Sequence, residues 1–485
     1  MLNALIGEQQ RPQRVTSGLL QGLRSRLPVL TLAASWTVPQ GVSLGSAPAP
    51  LPRYGSDRSA RTAFGVLRVV GSDIAWTGIC SQLTTLKAAD VKEIEVPQLD
   101  PGRFGGVLEP EPARRFVHRL GQAADRLAGR RLWHVNSTEE GGGVAEMLHF
   151  LLGYLAGAGI DTRWVVLEGN EEFFQVTKRL HHLLHGRPGD GRGVDQTARG
   201  VYEQTQKETL AELQRRVGPD DVVVLHDPQT VGLAPELKRL GATVVWSCHV
   251  GIDQPNALAR VAWAFLRPYV QAADAYVFSR PAYCWEWLDR ERTAIIPPCI
   301  DAFAPKNQPM TPPTVSAILQ AAGILEAREG DLPAPVFRHL DGSPGRVAGR
   351  AEMIQDGPIP PDAPIVLQVS RWDPLKDPLG VLQGFIRHVP DRLGAHLVLA
   401  GPAATSVSDD PESDQVLQQV RQAAAELPAR ARARLHLACL PMDDLEENGA
   451  MVNGRGNVES VSGPGQPGRR HPGPDHPRPE RATTG

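Results

Sequence analysis

Three successive glycines separate an apolar run from an amphipathic run in the segment VNSTEEGGGVAE, residues 135–146. The apolar run predicts a strand, and the amphipathic run that follows the glycines places its apolar side chains on one helical face. Gly141, Gly142 and Gly143 are therefore predicted to lie in a strand-to-helix turn. Amide N–H groups and the positive end of the helix dipole at such a turn suit a phosphate or a cluster of sugar hydroxyls. A tight turn that binds no ligand is the alternative interpretation.

Polar side chains follow two further apolar runs, at the points where predicted strands end. His226 and Asp227 follow one run, and the segment SCHVGIDQPN after the next contains His249, Asp253 and Asn256. Histidine and aspartate at strand ends in a cleft can fix sugar hydroxyls by directional hydrogen bonds, which favours a binding role for the two histidines. Capping of the following helices is the alternative, and for Asp253 it is as strong as ligand contact.

Two cations follow an apolar run in the last third of the chain, within the segment SRWDPLK. Arg371 and Lys376 are five positions apart after a predicted strand, so both can converge on one anion, such as a diphosphate leaving group that gains charge as its bond to a sugar breaks. A pair of solvated surface charges is the alternative. The next predicted strand ends at Gly401, where a glycine would let a base or ribose approach the backbone.

Short apolar strands alternate with helical segments on both sides of a proline- and glycine-rich stretch. This alternation predicts an α/β fold of two Rossmann-like domains, whose parallel sheets face a cleft. We expect a disordered or loosely ordered extension over residues 1–64, an N-terminal Rossmann-like domain over 88–300, and a linker over 301–362. A second, shorter α/β domain is predicted over 363–448, and a disordered tail over 449–485.

The composition excludes several classes of partner and site. The formal net charge of −3 comes without a basic stripe, which argues against nucleic acid as a partner. The sequence contains no apolar run long enough to span a bilayer. The five cysteines are scattered and lack zinc-site spacing, so we expect no metal site, no disulfide framework and a cytoplasmic location.

Six segments, taken in order, resemble the trehalose synthases of the glycosyltransferring type and their relatives, the trehalose phosphorylases. The segments are HVNSTEEGGGVAEML, WVVLEGNEEFFQVTKRLHHLLHG, VVVLHDPQ, CHVGIDQPN, IIPPCID and LQVSRWDPLKDPLGV. The resemblance covers residues 90–448, and it implies the two-domain GT-B architecture. It makes residues 88–300 the acceptor-sugar domain and residues 363–448 a partial nucleotide-sugar-binding domain. It also implies a retaining transfer of glucose from a nucleoside-diphosphate glucose to free glucose, which yields trehalose.

The resemblance assigns roles position by position. The loop at Gly141, Gly142 and Gly143 would face donor phosphates and acceptor sugar, and His249 would reach the donor glucose. Arg371 and Lys376 would hold the donor diphosphate, so that no metal or other cofactor is needed. The donor base (ADP, GDP or UDP) and the formation of a homodimer stay open.

One departure from the family pattern bears on activity. The family continues with an acidic loop of the form E-G-F-G-L-x-x-x-E, whereas here a Gly/Pro/Arg-rich segment follows Asn453. We therefore expect a C-terminally truncated chain, with a frameshift as the origin of the tail, and impaired transfer. Two other functions stay open at this point: a remnant that at most binds sugar, and a trehalose phosphorylase.

Overall fold

The computed structural model describes residues 91–140, 142–327, 332–360, 363–403 and 412–456. These residues divide into two compact units, the first ending at Ala302 and the second beginning at Phe303. The predicted extension over residues 1–64 lies outside the described residues. None of the helices in the described ranges is both long enough and apolar enough to cross a bilayer.

The first unit contains a seven-stranded sheet in the order β1-β3-β2-β4-β5-β6-β7. Its strands are β1 (Lys92–Ile94), β2 (Leu132–Asn136), β3 (Thr162–Val166), β4 (Val222–His226), β5 (Thr243–Cys248), β6 (Ala275–Phe278) and β7 (Thr293–Ile295). All neighbouring strands are parallel except β1, which pairs antiparallel with β3. Every residue of β2 and of β4 is buried, as expected for central strands of a parallel sheet covered on both faces.

Helices follow most of these strands and bury one face on the sheet. They are α1 (Pro110–Leu127), α2 (Gly143–Gly157), α3 (Glu171–Leu184), α4 (Gln196–Leu213), α5 (Asp227–Thr230), α6 (Ala234–Arg239) and α7 (Ala257–Val270). Large aromatic side chains fill the core between helices and sheet, among them the fully buried Tyr202, Trp246 and Phe278. The alternation of strand and helix places the carboxyl ends of β2, β4 and β5 along one edge of the sheet.

The second unit contains a four-stranded sheet in the order β10-β13-β12-β11 and a separate hairpin. Its strands are β8 (Val336–Arg338), β9 (Pro344–Arg346), β10 (Glu352–Ile354), β11 (Ile365–Val369), β12 (His396–Pro402) and β13 (Leu435–Leu440). Strands β11, β12 and β13 are parallel, and β10 joins antiparallel. The helices are α8 (Pro312–Ala321), α9 (Pro378–His388), α10 (Ser413–Ala425), α11 (Ala429–Arg432) and α12 (Leu445–Gly456).

The structure corrects the predicted linker over residues 301–362. Helix α8 and strands β8 to β10 lie within that range, and their apolar residues belong to a core shared with β12, β13 and α12. Some of the prolines that suggested a connection stand instead at element starts, where the missing N–H costs nothing, as in the first turn of α8.

Part of the predicted disordered tail over residues 449–485 is also corrected. Residues 449–456 complete helix α12, in which Ala450 and Met451 are fully buried. The Asn453 side chain donates hydrogen bonds to the carbonyl oxygens of Pro305 and Gln308, at 2.8 and 2.7 Å. The three apolar residues of this segment, Ala450, Met451 and Val452, are consecutive and show no helical periodicity in sequence, and tertiary contacts hold the segment in place. Residues 457–485 lie outside the described residues.

The predicted α/β fold class is confirmed, because both units are α/β with mostly parallel sheets. Sequence reasoning missed the antiparallel strands β1 and β10. Each is three residues long, and its place is set by pairing with a distant strand, which leaves no local signal.

Candidate functional site

The glycine turn after β2 provides open space beside the backbone. Gly142 adopts φ −136° and ψ 152°, an extended conformation that any residue can take, and helix α2 begins at the next residue. A Cβ on Gly142 would meet only the Thr138 side chain, at 3.9 Å, and a Cβ on Gly143 would meet nothing within 4 Å. Neither backbone strain nor protein packing therefore requires glycine at these two positions, which weakens the interpretation as a bare turn. Gly141 lies outside the described residues.

Short-range hydrogen bonds hold the loop that leads into the glycine turn. The Thr138 hydroxyl accepts a hydrogen bond from the Glu140 N–H, at 3.2 Å, and donates to the Glu140 carbonyl oxygen, at 2.7 Å. At the start of the loop, Asn136 accepts a hydrogen bond from the Trp164 indole, at 2.8 Å. The loop is therefore fixed from within, and the amides of the first turn of α2 have a defined direction.

Three histidines form a stacked chain that runs from the middle of β2 past the carboxyl ends of β4 and β5. The His134 Nδ1 atom lies 3.0 Å from the His226 Nε2 atom, and the His226 Nδ1 atom lies 3.4 Å from the His249 Nε2 atom. Their ring centroids are 5.3 and 5.6 Å apart. His134 and His226 are buried, whereas His249 is half-buried. The structure thus brings together the two histidines predicted from sequence and adds a third.

Burial keeps the inner part of this chain neutral. It lowers the pKa of His134 from the ordinary 6.5 to about 3. Burial also lowers the pKa of His226 well below 6.5, and the neighbouring His134 and His249 rings act in the same direction. Near pH 7 both imidazoles are therefore uncharged, and each ring carries one donor and one acceptor nitrogen.

Acidification should destabilise the first unit through His134. Because its pKa is depressed in the folded chain, its contribution is complete above pH 6.5 and is lost as the pH falls towards 3. Between pH 7 and pH 5 the parent chain should lose about 2 kcal/mol more unfolding free energy than a His134→Leu variant. Urea titrations followed by tryptophan fluorescence at the two pH values measure this difference, and equal losses would contradict it.

Asp227 supports the histidine chain, and its backbone conformation is strained. Its φ of 60° is in the left-handed region, which is uncommon for a residue other than glycine. Its carboxylate accepts a hydrogen bond from the His249 backbone N–H, at 2.7 Å, and its carbonyl oxygen accepts from the Trp246 indole, at 3.0 Å. Burial raises the pKa of the Asp227 carboxyl above its ordinary value, although the nearby His249 partly opposes the shift. Asp227 therefore ties the end of β4 to the residue that follows β5.

Asn256 and Asp253 have partners within the protein. Asn256 is the N-cap of α7, where its side chain accepts from the Ala259 N–H at 3.0 Å and donates to the Gly186 carbonyl oxygen at 2.9 Å. These contacts give Asn256 a capping role, and a contact with substrate stays a prediction. Asp253 is not a helix cap but pairs with Arg280, at 3.0 Å.

In the second unit the two predicted cations lie after the carboxyl end of β11. The Arg371 guanidinium is 3.8 Å from the carboxylate of Asp373, whose side chain is 2% exposed and also accepts from the Leu375 N–H at 2.7 Å. This buried carboxylate orients the half-buried Arg371. Lys376 is exposed at the end of a single 3-10 turn, Pro374–Lys376.

Gly401 is required by packing within the protein. A Cβ there would lie 2.7 Å from the Trp372 ring and 2.8 Å from the Ser370 carbonyl oxygen. The Trp372 indole is fixed in turn by donating to the Pro402 carbonyl oxygen, at 2.9 Å. The space predicted to receive a base or ribose beside Gly401 is thus taken by the chain's own tryptophan, and a nucleotide contact elsewhere on Gly401 stays a prediction.

Gly401→Ala should therefore destabilise the second unit by about 1–3 kcal/mol, because neither the tryptophan nor the backbone oxygen can move without loss. Gly384→Ala is the matched control, since Gly384 lies in α9 with nothing within 4 Å of its added Cβ. Calorimetric unfolding of both variants measures the difference. Equal stability of the two would contradict the packing role of Gly401.

Comparisons with known proteins show which proteins the chain resembles. Residues 134–285 match the family model described as trehalose synthase, N-terminal domain. The chain is 32% identical to the trehalose synthase of Pyrococcus horikoshii over 61% of this chain and 60% of that protein. It is also 32% identical to that of Rubrobacter xylanophilus over 62% of each chain. The chain is a relative of the trehalose synthases.

Two further similarities are to a trehalose phosphorylase and to a solved structure. Identity to the trehalose phosphorylase of Pleurotus sajor-caju is 25%, over 68% of this chain and 46% of that protein. An alpha,alpha-trehalose-phosphate synthase (UDP-forming) from Burkholderia vietnamiensis has a TM-score of 0.44 at 14% identity, over 67% of this chain and 74% of that one. The chain thus spans about three fifths of the length of the trehalose synthases it matches.

For this relative of the trehalose synthases, sequence reasoning missed His134 and Asp373. His134 lies inside an otherwise apolar strand, where a histidine is read as a core residue, and only the register of β2 against β4 brings it next to His226. Asp373 was available in the SRWDPLK segment, because a carboxylate two positions from an arginine can orient it.

Proposed function

We propose that the chain transfers glucose from a nucleoside-diphosphate glucose to free glucose and forms trehalose with the α configuration retained. The observation that carries this proposal is the open, unstrained glycine pair Gly142 and Gly143 at the same sheet edge as the histidine chain. Gly142 is the N-cap of α2, a position that favours glycine, whereas Gly143 has no such role, and a ligand that approaches the backbone closely would explain both glycines.

The first unit supplies the groups that a sugar requires. Sugar hydroxyls both donate and accept, so they are recognised by fixed polar groups of both kinds. His226, Asp227 and His249 lie at adjacent strand ends and are linked to one another by short contacts. The backbone amides at the start of α2 add donors at that edge of the sheet. Glucose, which has a hydroxyl on almost every carbon, is a suitable ligand.

The second unit supplies positive charge for a leaving diphosphate. In our proposal Arg371 and Lys376 neutralise the charge that accumulates as the bond between glucose and diphosphate breaks. An ion pair with the buried Asp373 keeps Arg371 near the end of β11, and the planar fork of an arginine suits bidentate contact with phosphate oxygens. Charge supplied by the protein makes a divalent metal or other cofactor unnecessary. A cytoplasmic location and a homodimer also remain proposals.

Incubation of the purified chain with glucose and ADP-, GDP- or UDP-glucose, with and without EDTA, tests the proposal. We expect slow formation of trehalose from at least one donor, in line with the impaired transfer expected from the sequence, and no further loss in EDTA. A complete lack of trehalose from all three donors would refute transfer by this chain. Loss of product in EDTA alone would refute the metal-free part.

A trehalose phosphorylase is a second candidate, favoured by the similarity to the Pleurotus sajor-caju phosphorylase. In that case the two cations of the second unit would bind inorganic phosphate in place of a diphosphate. Release of glucose 1-phosphate from trehalose and phosphate, without any nucleotide, would decide for this candidate. Glucose binding without turnover in either assay would indicate a sugar-binding remnant.

A further inference from the structure

The histidine chain runs from the interior of the first unit to the edge that carries the candidate site. His134 is 3% exposed in the middle of β2, His226 is 3% exposed at the end of β4, and His249 is half-buried beyond the end of β5. Each junction joins the Nδ1 atom of the inner ring to the Nε2 atom of the outer ring. In a neutral ring one nitrogen donates and the other accepts, so the proton position in one ring dictates that in the next.

The surroundings of His134, the innermost of the three histidines, determine which of its ring nitrogens carries the proton. The His134 Nε2 atom is closed to solvent and has no hydrogen-bond partner among the described residues. A buried N–H without an acceptor is rarer and costlier than an acceptor without a donor. The proton of His134 therefore belongs on Nδ1, where it is donated to His226 Nε2.

The proton position in His134 determines the proton positions in His226 and then in His249. Because His226 Nε2 accepts, the proton of His226 is on Nδ1 and is donated to His249 Nε2. The Ser247 hydroxyl lies 3.2 Å from the same His249 nitrogen and can donate to it as well. The opposite direction would leave an N–H of His134 buried without an acceptor.

We propose that His134 and His226 are positioning residues that hold the proton of the His249 ring on Nδ1, so that His249 presents a hydrogen-bond donor to a sugar oxygen. The action on a sugar rests on the proposed function, whereas the proton position does not. The His249 Nδ1 atom makes no hydrogen bond within the part of the chain that the structure describes, so it is available to a ligand.

Nitrogen NMR on the full chain labelled with ¹⁵N-histidine reads the proton positions directly. Protonated and unprotonated ring nitrogens have well-separated shifts, and single histidine substitutions assign them. In the parent chain we expect Nδ1–H in all three rings. An Nε2–H form of His249 would overturn the proposal.

A pair of histidines in the second unit serves as an internal reference for this NMR experiment. His396 Nδ1 lies 2.7 Å from His436 Nε2, and His436 Nδ1 lies 2.7 Å from the Gln355 side-chain oxygen. The amide oxygen sets the direction there, so both rings should also show Nδ1–H.

Two variants test whether the inner histidine imposes the proton position. His134→Leu removes the donor to His226, so the His249 spectrum should change to a mixture of both forms and glucose affinity should fall roughly threefold to tenfold. His134→Asn keeps an N–H at the position of Nδ1 and should restore the parent spectrum and affinity. His396→Leu breaks the reference pair and should change neither.

The NMR and binding results distinguish the positioning role of the histidines from the proposed function. An unchanged His249 spectrum in His134→Leu would overturn the positioning role, and if that variant does not fold, the parent spectrum and His134→Asn still decide. A spectrum that changes as expected in a chain that binds no glucose would support the positioning role and refute the proposed function alone.

Discussion

Gly142→Val should fold like the parent chain and bind glucose at least about tenfold more weakly. The extended backbone at Gly142 suits valine, and the nearest atom to the added Cβ is 3.9 Å away, so the first unit loses only the preference for glycine over valine at the N-cap of α2. If a ligand uses the open space beside the glycine, however, the two methyl groups of valine occupy it. Isothermal titration of glucose into both chains measures the difference.

Gly200→Val is the matched control for this prediction. Gly200 lies in α4 of the same unit, also with nothing within 4 Å of an added Cβ. The control should therefore keep the parent affinity for glucose. Equal affinity in the parent and in Gly142→Val would favour the bare turn, and glucose would then have to bind elsewhere.

Arg371→Ala should weaken binding of a nucleoside diphosphate by about 10- to 100-fold, which corresponds to one or two charge-assisted hydrogen bonds. Arg371→Lys should recover only part of that loss, because an ammonium keeps the charge but not the planar fork. Calorimetric titration of ADP, GDP and UDP into the full chain measures both effects.

Arg421→Ala provides the charge-matched control, since Arg421 is exposed on α10 of the same unit. It removes the same net charge and should leave nucleotide affinity within about twofold of the parent, given that exposed charges act weakly at a distance. Parent-like nucleotide binding in Arg371→Ala would show that the cation is only a solvated surface charge.

Sequence alone predicted the elements that carry the site because their signals are local. The apolar run before His226 and the one that leads to His249 each define a strand, and parallel strands place their carboxyl ends at one edge. These two local signals are sufficient to predict that the two histidines lie near each other. Arg371 and Lys376 were placed by the same reasoning, from their position after β11.

Other parts depended on contacts between residues far apart in sequence. His134 reads as a core residue until the register of β2 and β4 is known, which pairs it with Val224 and so places His226 two positions farther along on the same face. Nothing in the sequence around Gly401 indicates that the Trp372 ring lies against it. Segment 301–362 has the composition of a connection, yet its short elements are stabilised by a core that includes α12.

The fate of labelled glucose tests the proposed transfer most directly. The full chain is incubated with [1-¹³C]glucose and each of unlabelled ADP-, GDP- and UDP-glucose, and the products are followed by carbon NMR. We expect α,α-trehalose with the label in one of its two glucose units, formed in step with release of the nucleoside diphosphate. Nucleotide release without labelled trehalose, or no product from any of the three donors, would contradict it.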